Sequence, residues 1–265
     1  MYHLNTGQNT FVPSLTLFFY NGTNGITARQ KIGAVSMKTL SIKPLNSFQI
    51  IVLGFAGVIL AGTLLLMLPV SSATHCVTPF LNALFTSTTS VCVTGLIVVD
   101  TGTYWSVFGQ AVILVLIQIG GMGIVTVAAA VTIISGRKIG LMQRSTMQEA
   151  VAAPKMSGIV RLTGFIIRAT LLIELSGAAL LAPVFCRDFG PIHGLWMAVF
   201  HSISAFCNAG IDLMGIRIPF SSLTLYAASP LVNLVIMALI IIGGIGFLTW
   251  EDIRSNQLHF SRYRM

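Results

Sequence analysis

Apolar and polar positions alternate in long blocks along the chain. Apolar runs cover residues 48–68, 107–134, 159–183 and 230–250. A helix needs about 20 such residues to cross a bilayer, so the pattern predicts four transmembrane helices. Each pair of runs encloses a half-polar helical segment, 78–91 and 192–206, which is too short to cross. These segments predict two re-entrant pore helices, each followed by a polar turn at membrane depth.

The second half of the chain repeats the first. Segments 85–96 and 200–211 align without a gap and share Phe, Ser, Cys and Gly. Each segment has a glycine one residue before its end, and these two, Gly95 and Gly210, are offset by 115 (210 − 95). The prolines that close the first apolar run of each half are offset by 114 (183 − 69). The Gly-Gly-x-Gly motifs in the last run of each half are offset by 123 (243 − 120). A nearly constant offset in the same order predicts a duplicated helix–pore loop–helix unit, with an insertion after the second turn.

The repeat divides the chain into five parts. They are a cytoplasmic N-terminal tail (1–46), a first repeat (47–134), a cytoplasmic linker (135–158), a second repeat (159–250) and a cytoplasmic C-terminal tail (251–265). The apolar run 15–20 is too short to cross and no basic region precedes it, so we expect no signal peptide. Translation from Met1 and from Met37 are equally open alternatives.

Composition supports a membrane protein of all-α class. The chain is 55% hydrophobic and 8% charged, whereas soluble domains carry about a quarter charged residues. Its 15 basic residues outnumber 7 acidic ones and cluster in the two tails and the linker. This positive-inside bias predicts a multi-pass protein of the bacterial cytoplasmic membrane, with both termini cytoplasmic and lipid as its surroundings. It also argues against nucleic acid as a partner.

The two polar turns predict an ion selectivity filter. Main-chain carbonyl oxygens can replace the hydration shell of an ion, and glycine readily takes the positive-φ conformations that such a turn requires. We define filter segment 1 as 92–96 and filter segment 2 as 207–211. Their residues are Cys92, Val93, Thr94, Gly95 and Leu96, then Cys207, Asn208, Ala209, Gly210 and Ile211. The pore-helix hydroxyls should either bond the filter backbone or bond back to their own helix; they are Thr86, Ser87, Thr88, Thr89, Ser90, Ser202 and Ser204.

Other polar residues have simpler interpretations. Asp100 and Asp212 follow the filter segments and predict an acidic pore mouth that attracts cations, or alternatively solvated loop charges. We expect His201 to be a hydrogen-bonded structural residue. Arg168 and Glu174 lie about 240° apart around one helix, so we expect Arg168 to reach the interface and Glu174 to face the bundle.

The cysteine spacing argues against a metal site, and the absence of two signature motifs argues against an enzyme. The four cysteines form no C-x-x-C pair. We expect free thiols, with a Cys76–Cys186 bridge as the alternative. Neither Gly-x-Ser-x-Gly nor His-Glu-x-x-His occurs, so an enzyme is not expected.

Four stretches together resemble the bacterial Trk/Ktr/HKT potassium uptake proteins, most closely the Ktr-type membrane subunit. They are LLLMLPV (64–70), SVCVTGLIVVDT (90–101), LIQIGGMG (116–123) and FCNAGID (206–212). The resemblance implies four helix–pore–helix repeats around one pore, with each repeat giving one filter strand. It also implies potassium as the transported ion, frequent sodium-coupled symport, a homodimer of membrane subunits and a cytosolic nucleotide-binding regulatory ring.

Only two of the four repeats are present. The expectation is therefore half of a four-repeat pore, from a truncated membrane subunit, with two such chains completing a pore as one alternative. Another is a tandem two-pore cation channel subunit that dimerises; the single glycine in each filter segment argues against it, because such filters read Thr-Val-Gly-Tyr-Gly. A third is a fragment that keeps its cytosolic contacts without conducting.

Overall fold

The computed structural model describes residues 47–124, 126–129, 145–148, 159–247 and 249–250. Both predicted tails and most of the linker lie outside the described residues. The chain divides into two units, Met1–Lys43 and Pro44–Met265, and all that follows concerns the second. Within the described residues every regular element is helical, and extended pairing is confined to one bridge between Ser72 and Trp105. The all-α fold class is therefore confirmed.

Seven α-helices have both ends within the described residues, and further helical residues lie at 126–129, 145–148, 247 and 249–250. The seven are α1 (Ser47–Met67), α2 (Phe80–Val91), α3 (Thr101–Tyr104), α4 (Val107–Met122), α5 (Ile159–Phe189), α6 (Pro191–Phe206) and α7 (Pro230–Gly244). Short 3-10 turns occur at Pro69–Ser71, Met214–Ile216 and Ser222–Tyr226. Helices α2 and α6 occupy the two half-polar segments. Each begins beside a proline, which is compatible with a helix start because the first amide groups have no partner within the helix.

Two of the four predicted spanning helices are shorter than expected. Phe48–Met67 and Val160–Phe189 are long and apolar enough to cross a membrane. Helices α4 and α7 have only 16 and 15 residues, so neither apolar run, 107–134 or 230–250, forms one uninterrupted helix. The chain leaves helical geometry at Gly123 (φ 80°) and Gly246 (φ 90°), and helical residues resume beyond each. Glycine takes these left-handed angles at little cost, so the last glycine of each Gly-Gly-x-Gly motif interrupts the helix.

The two prolines of the sequence repeat do not have equivalent positions. Pro69 begins a 3-10 turn after α1 has ended, whereas Pro183 lies inside α5, which continues to Phe189. Expecting both outer helices to end at their proline was wrong for α5. Contacts around the helices repeat at an offset of 115 (174 − 59), not at the 114 of the prolines.

Equivalent hydrogen bonds within each half give the two halves similar helix arrangements. The Ser87 hydroxyl on α2 donates to the Ile59 carbonyl on α1 (2.7 Å), and the Ser202 hydroxyl on α6 donates to the Glu174 carbonyl on α5 (2.6 Å). Each short helix is therefore bonded to the long helix that precedes it. Glycines allow the close approach: Gly62 contacts Ser87 and Leu116, and Gly177 contacts Ser202 and Leu239.

The buried core runs through both halves. It includes Leu66, Trp105, Ile117, Leu181, Phe200 and Leu239. Long helices expose leucines on the opposite side, for example Leu64 (66% exposed) and Leu172 (67% exposed). A helix with exposed apolar side chains is typical of a lipid-facing surface.

Candidate functional site

Filter segment 1 is tied to the end of α2 through its amide groups. The Thr94 amide donates to the Thr89 carbonyl (2.9 Å), and the Leu96 amide donates to the Thr89 hydroxyl (3.0 Å). In a planar trans peptide the carbonyl points opposite to the amide of the next residue. The carbonyls of Val93 and Gly95 therefore point away from α2.

Filter segment 2 is tied to α6 in the same way. The Ala209 amide donates to the Ser204 carbonyl (2.8 Å), so the Asn208 carbonyl points away from α6. Val93 and Asn208, at matched positions, have similar left-handed φ values of 48° and 57°. The segments differ at Ile211, whose carbonyl accepts a 2.6 Å hydrogen bond from the Ser204 hydroxyl. This carbonyl is directed at α6, unlike those of Val93, Gly95 and Asn208.

The structure brings Gly95 and Gly210 together. A Cβ atom on Gly95 would lie 2.6 Å from the Ala209 carbonyl oxygen and 3.5 Å from the Gly210 Cα. A Cβ atom on Gly210 would lie 3.8 Å from the Gly95 Cα. Both residues have positive φ, 80° and 69°. Main chain thus meets main chain here, in a conformation that L side chains disfavour and with no room for a side chain on Gly95.

Every second residue of filter segment 2 is buried in the protein core. Cys207, Ala209 and Ile211 are buried, whereas Asn208 and Gly210 are exposed. A cavity of about 210 Å³ lies beside this segment, with Asn208, Gly210 and two α7 isoleucines, Ile236 and Ile240, in its lining. The segment is therefore held on one side and open on the other.

The hydroxyl groups on α2 and α6 have three kinds of partner. The hydroxyls of Thr89 and Ser204 bond the filter backbone, as the first expectation states. Those of Thr88 and Ser90 bond carbonyls of their own helix, as the second states. Ser87 and Ser202, which bond the preceding long helix, show a role that we did not expect. Their matched position in the aligned segments was the signal that could have identified it.

Asp100 is buried and its oxygens are occupied. It is 7% exposed, and its Oδ1 accepts from the amides of Gly102 and Thr103, both at 3.0 Å. Its Oδ2 accepts from the Phe220 amide at 2.8 Å. Asp100 therefore joins the loop after filter segment 1 to the inserted loop of the second half.

Asp212 is half-buried, and its Oδ1 accepts from the Met214 amide at 2.8 Å. Asp212 lies directly after filter segment 2 and is more exposed than Asp100. The acidic pore mouth stays a prediction.

His201 is the structural residue that we expected. It is 2% exposed; its Nδ1 lies 2.7 Å from the Met197 carbonyl, and its Nε2 accepts from the Leu213 amide at 3.3 Å. A ring that donates through Nδ1 and accepts through Nε2 is neutral imidazole. Both nitrogens are therefore engaged within the protein.

Glu174 faces the bundle, as we expected; Arg168 is exposed, and its reach to the interface stays a prediction. The partner of Glu174 was missed: the Gln118 Nε2 atom on α4 donates to its two carboxyl oxygens at 2.9 and 3.1 Å. Cys207 in filter segment 2 also contacts this carboxyl group, with Sγ 4.0 Å from Oε1. Gln118 in one apolar run and Glu174, the one carboxyl residue of another, were the signals in the sequence.

All four cysteines are free thiols, as expected. The Cys76 thiol donates to the Thr74 carbonyl and the Cys186 thiol to the Pro191 carbonyl, at 3.6 and 3.5 Å. Each is thus bonded locally.

Known proteins can be aligned with most of this sequence. Residues 24–263 match the family described as TrkH, cation transport protein. The potassium/sodium uptake protein NtpJ of Enterococcus hirae is 39% identical over 219 residues, which cover 83% of this chain and 48% of that protein. The Ktr system potassium uptake protein B of Bacillus subtilis is 42% identical over 209 residues, 79% of this chain and 45% of the relative. The chain thus spans about half the length of these relatives. On the extent of these matches, the chain belongs to the TrkH cation transport protein family.

Proposed function

We propose that this chain takes part in potassium uptake across the bacterial cytoplasmic membrane, as one half of a Trk/Ktr-type pore, and is not an enzyme. Relatives at 39% and 42% identity are named for potassium/sodium and potassium uptake. Potassium is the transported substrate in this proposal, and sodium a co-transported ion; the Enterococcus hirae relative is named for potassium/sodium uptake.

The observation that carries the proposal is the meeting of Gly95 and Gly210, main chain to main chain. The amides on both sides of Gly95 are bonded to α2, and the Ala209 amide before Gly210 is bonded to α6. The carbonyls of Val93, Gly95 and Asn208 are therefore directed away from those helices. Rows of neutral carbonyl oxygens can replace the hydration shell of potassium and still release it. In this proposal the ten residues of the two filter segments form two adjacent strands of one filter.

Matched contacts in the two halves support the duplicated helix–pore loop–helix unit, with repeats at 47–134 and 159–250. Serine bonds from α2 to α1 and from α6 to α5 fix each short helix at the same place on its long helix. In the proposed topology α1 and α5 run outward, α2 and α6 re-enter as pore helices, and both termini are cytoplasmic. In the same topology α4 and α7 run back toward the cytoplasm. Each is continued by the helical residues beyond its glycine, Gly123 or Gly246.

Two strands cannot surround an ion, so the proposal needs two more. The chain covers 48% and 45% of its relatives, which matches two of four repeats. We propose that the other two strands come from the polypeptide corresponding to the remainder of those relatives. A second membrane subunit and a cytosolic nucleotide-binding ring are the further partners that the resemblance implies.

Growth at limiting potassium tests the proposal. A bacterium that lacks its own potassium uptake would express this chain alone, then together with the second half of the Bacillus subtilis relative. Both halves of that relative, expressed together, are the positive control. We expect growth and rubidium uptake only when both halves are present. Uptake by this chain alone would instead support a pore completed by its own copies. Failure of the pair to transport, with both polypeptides in the membrane and the positive control active, would contradict the proposal.

A further inference from the structure

A carboxyl group is buried where α4, α5 and filter segment 2 meet. Glu174 is 4% exposed, and its oxygens contact the Gln118 amide on α4 and the Cys207 thiol of the filter segment. Cys207 is also confined from the other side, because a Cβ atom on Gly121 would lie 2.5 Å from its Sγ. The beginning of the second filter segment is therefore held between the fourth helix and Glu174.

The position that matches Glu174 in the first half shows what the carboxyl group adds. Ile59 and Glu174 both offer their main-chain carbonyl to a pore-helix serine, Ser87 and Ser202 respectively. An apolar side chain is thus compatible with that backbone contact. The carboxyl group of Glu174 has a separate role, which is its contact with the other half of the protein.

Hydrogen bonding around Glu174 is one-sided. The Gln118 Nε2 atom serves both carboxyl oxygens, whereas the Gln118 Oε1 atom is buried without a hydrogen-bond partner among the described residues. A buried acceptor without a donor costs about 1–3 kcal/mol. A proton on the carboxyl group removes this defect. After a rotation of the amide, the acid O–H donates to Oε1 and the amide N–H donates to the other acid oxygen, so every polar atom of the pair is bonded.

Among the described residues, the helices around Glu174 place no charged side chain against it that would favour the ionised form. Helices α1, α2, α4 and α7 contain no titratable residue. On α6, His193 is exposed at the outer end, and His201 is engaged with Met197 and Leu213. On α5 itself the other charged residues, Arg161, Arg168, Arg187 and Asp188, are all exposed. The titratable group that faces Glu174 is the Cys207 thiol.

We propose that Glu174 is a positioning residue for filter segment 2, and that it acts as a neutral carboxylic acid paired reciprocally with the Gln118 amide. The pair fixes α5 to α4 and confines Cys207 between them. Its link to ion selection rests on the proposed function, but the pair itself can be measured without transport.

The first experiment detects the proton by infrared spectroscopy of the purified chain at neutral pH. The difference spectrum between the chain and its Glu174→Gln variant should contain the carbonyl stretch of a protonated carboxylic acid. A difference spectrum that shows only carboxylate bands would overturn the proposal, whatever the outcome of the uptake assays.

The second experiment measures the position of Cys207 by its rate of reaction with a small thiol reagent, in a chain whose other three cysteines are serine. Glu174→Gln can form the same reciprocal pair, so its rate should equal that of the parent. Glu174→Ala and Gln118→Leu should react roughly tenfold faster, because the filter segment opens locally. Ile59→Ala is the matched control from the first half and should leave the rate unchanged. Equal acceleration in Glu174→Gln and Glu174→Ala would show that the charge, not the pair, holds Cys207, and would contradict the proposal.

Discussion

The main-chain oxygen of Val91 lies directly against Gly120, so close that any side chain on Gly120 would overlap it. Phe206 and Gly243 have the same relationship in the second half. In both cases the last residue of a short helix contacts the first glycine of a Gly-Gly-x-Gly motif. These glycines thus set the distance between each filter segment and the helix that follows it.

Replacement of Gly120 by alanine should destabilise the protein. The methyl group would meet a main-chain oxygen that is fixed by α2, so relief requires a shift of the helix, at a cost of about 1–3 kcal/mol or more. We expect a clearly lower midpoint of thermal unfolding in detergent. Gly57→Ala on α1 is the control, because a Cβ atom there meets nothing within 4 Å. A similar midpoint for both variants would contradict the close contact.

Replacement of Gly95 by alanine should impair ion selection more than replacement of Gly210. Both substitutions impose a positive φ on an L side chain, but only at Gly95 does the new Cβ lie as close as 2.6 Å to a carbonyl oxygen, that of Ala209. A Cβ atom on Gly210 has a nearest contact of 3.8 Å. In the two-half uptake assay we expect Gly95→Ala to lose the preference for potassium over sodium and Gly210→Ala to retain part of it. Equal effects would indicate that left-handed strain alone matters.

Thr88 and Thr89 provide a matched test of the pore-helix hydroxyls. The Thr89 hydroxyl accepts a hydrogen bond from the Leu96 amide of filter segment 1. The Thr88 hydroxyl instead donates to the Leu84 carbonyl of its own helix, at 2.7 Å. Valine removes either hydroxyl with little change in shape. Thr89→Val leaves the Leu96 amide without its acceptor, at a cost of about 1–3 kcal/mol, and should lower the potassium selectivity of uptake. Thr88→Val should change neither selectivity nor thermal stability appreciably. The opposite ranking would refute the assignment.

Sequence patterns were sufficient to predict the elements around the filter but not how each helix ends. Segments 85–96 and 200–211 could be aligned residue by residue, because a duplicated unit keeps its hydrogen-bonding positions, and the serine bonds to Ile59 and Glu174 follow that alignment. Pro183 was misleading because a proline inside a long helix costs one amide bond, which a well-packed helix such as α5 tolerates. The bond between Gln118 and Glu174 could not be predicted, because it depends on how the two halves pack and no periodicity encodes that.

Asp100 and Asp212 should respond differently to the same substitution. Asn at position 100 can still cap α3 but cannot accept the Phe220 amide through its new NH₂ group, so Asp100→Asn should lower the unfolding midpoint. Asp212→Asn should leave the midpoint nearly unchanged. If the half-buried Asp212 attracts cations at the pore mouth, its neutral variant should need more potassium for half-maximal uptake, and high ionic strength should reduce that difference. An ionic-strength-independent effect would assign Asp212 a structural role instead.

Cys76 offers a direct test of the proposed topology, because it is exposed and lies between α1 and α2, on the side proposed to face outward. In a chain that keeps only this cysteine, a thiol reagent that cannot cross membranes should label intact cells, or spheroplasts where the outer membrane is a barrier. A second chain that keeps only Cys207, which is 8% exposed, should remain unlabelled under the same conditions and serves as the matched control. Labelling of Cys76 only after the membrane is opened would place this loop in the cytoplasm. The positive-inside assignment of both termini would then be reversed, because one helix, α1, separates Cys76 from the N-terminal tail.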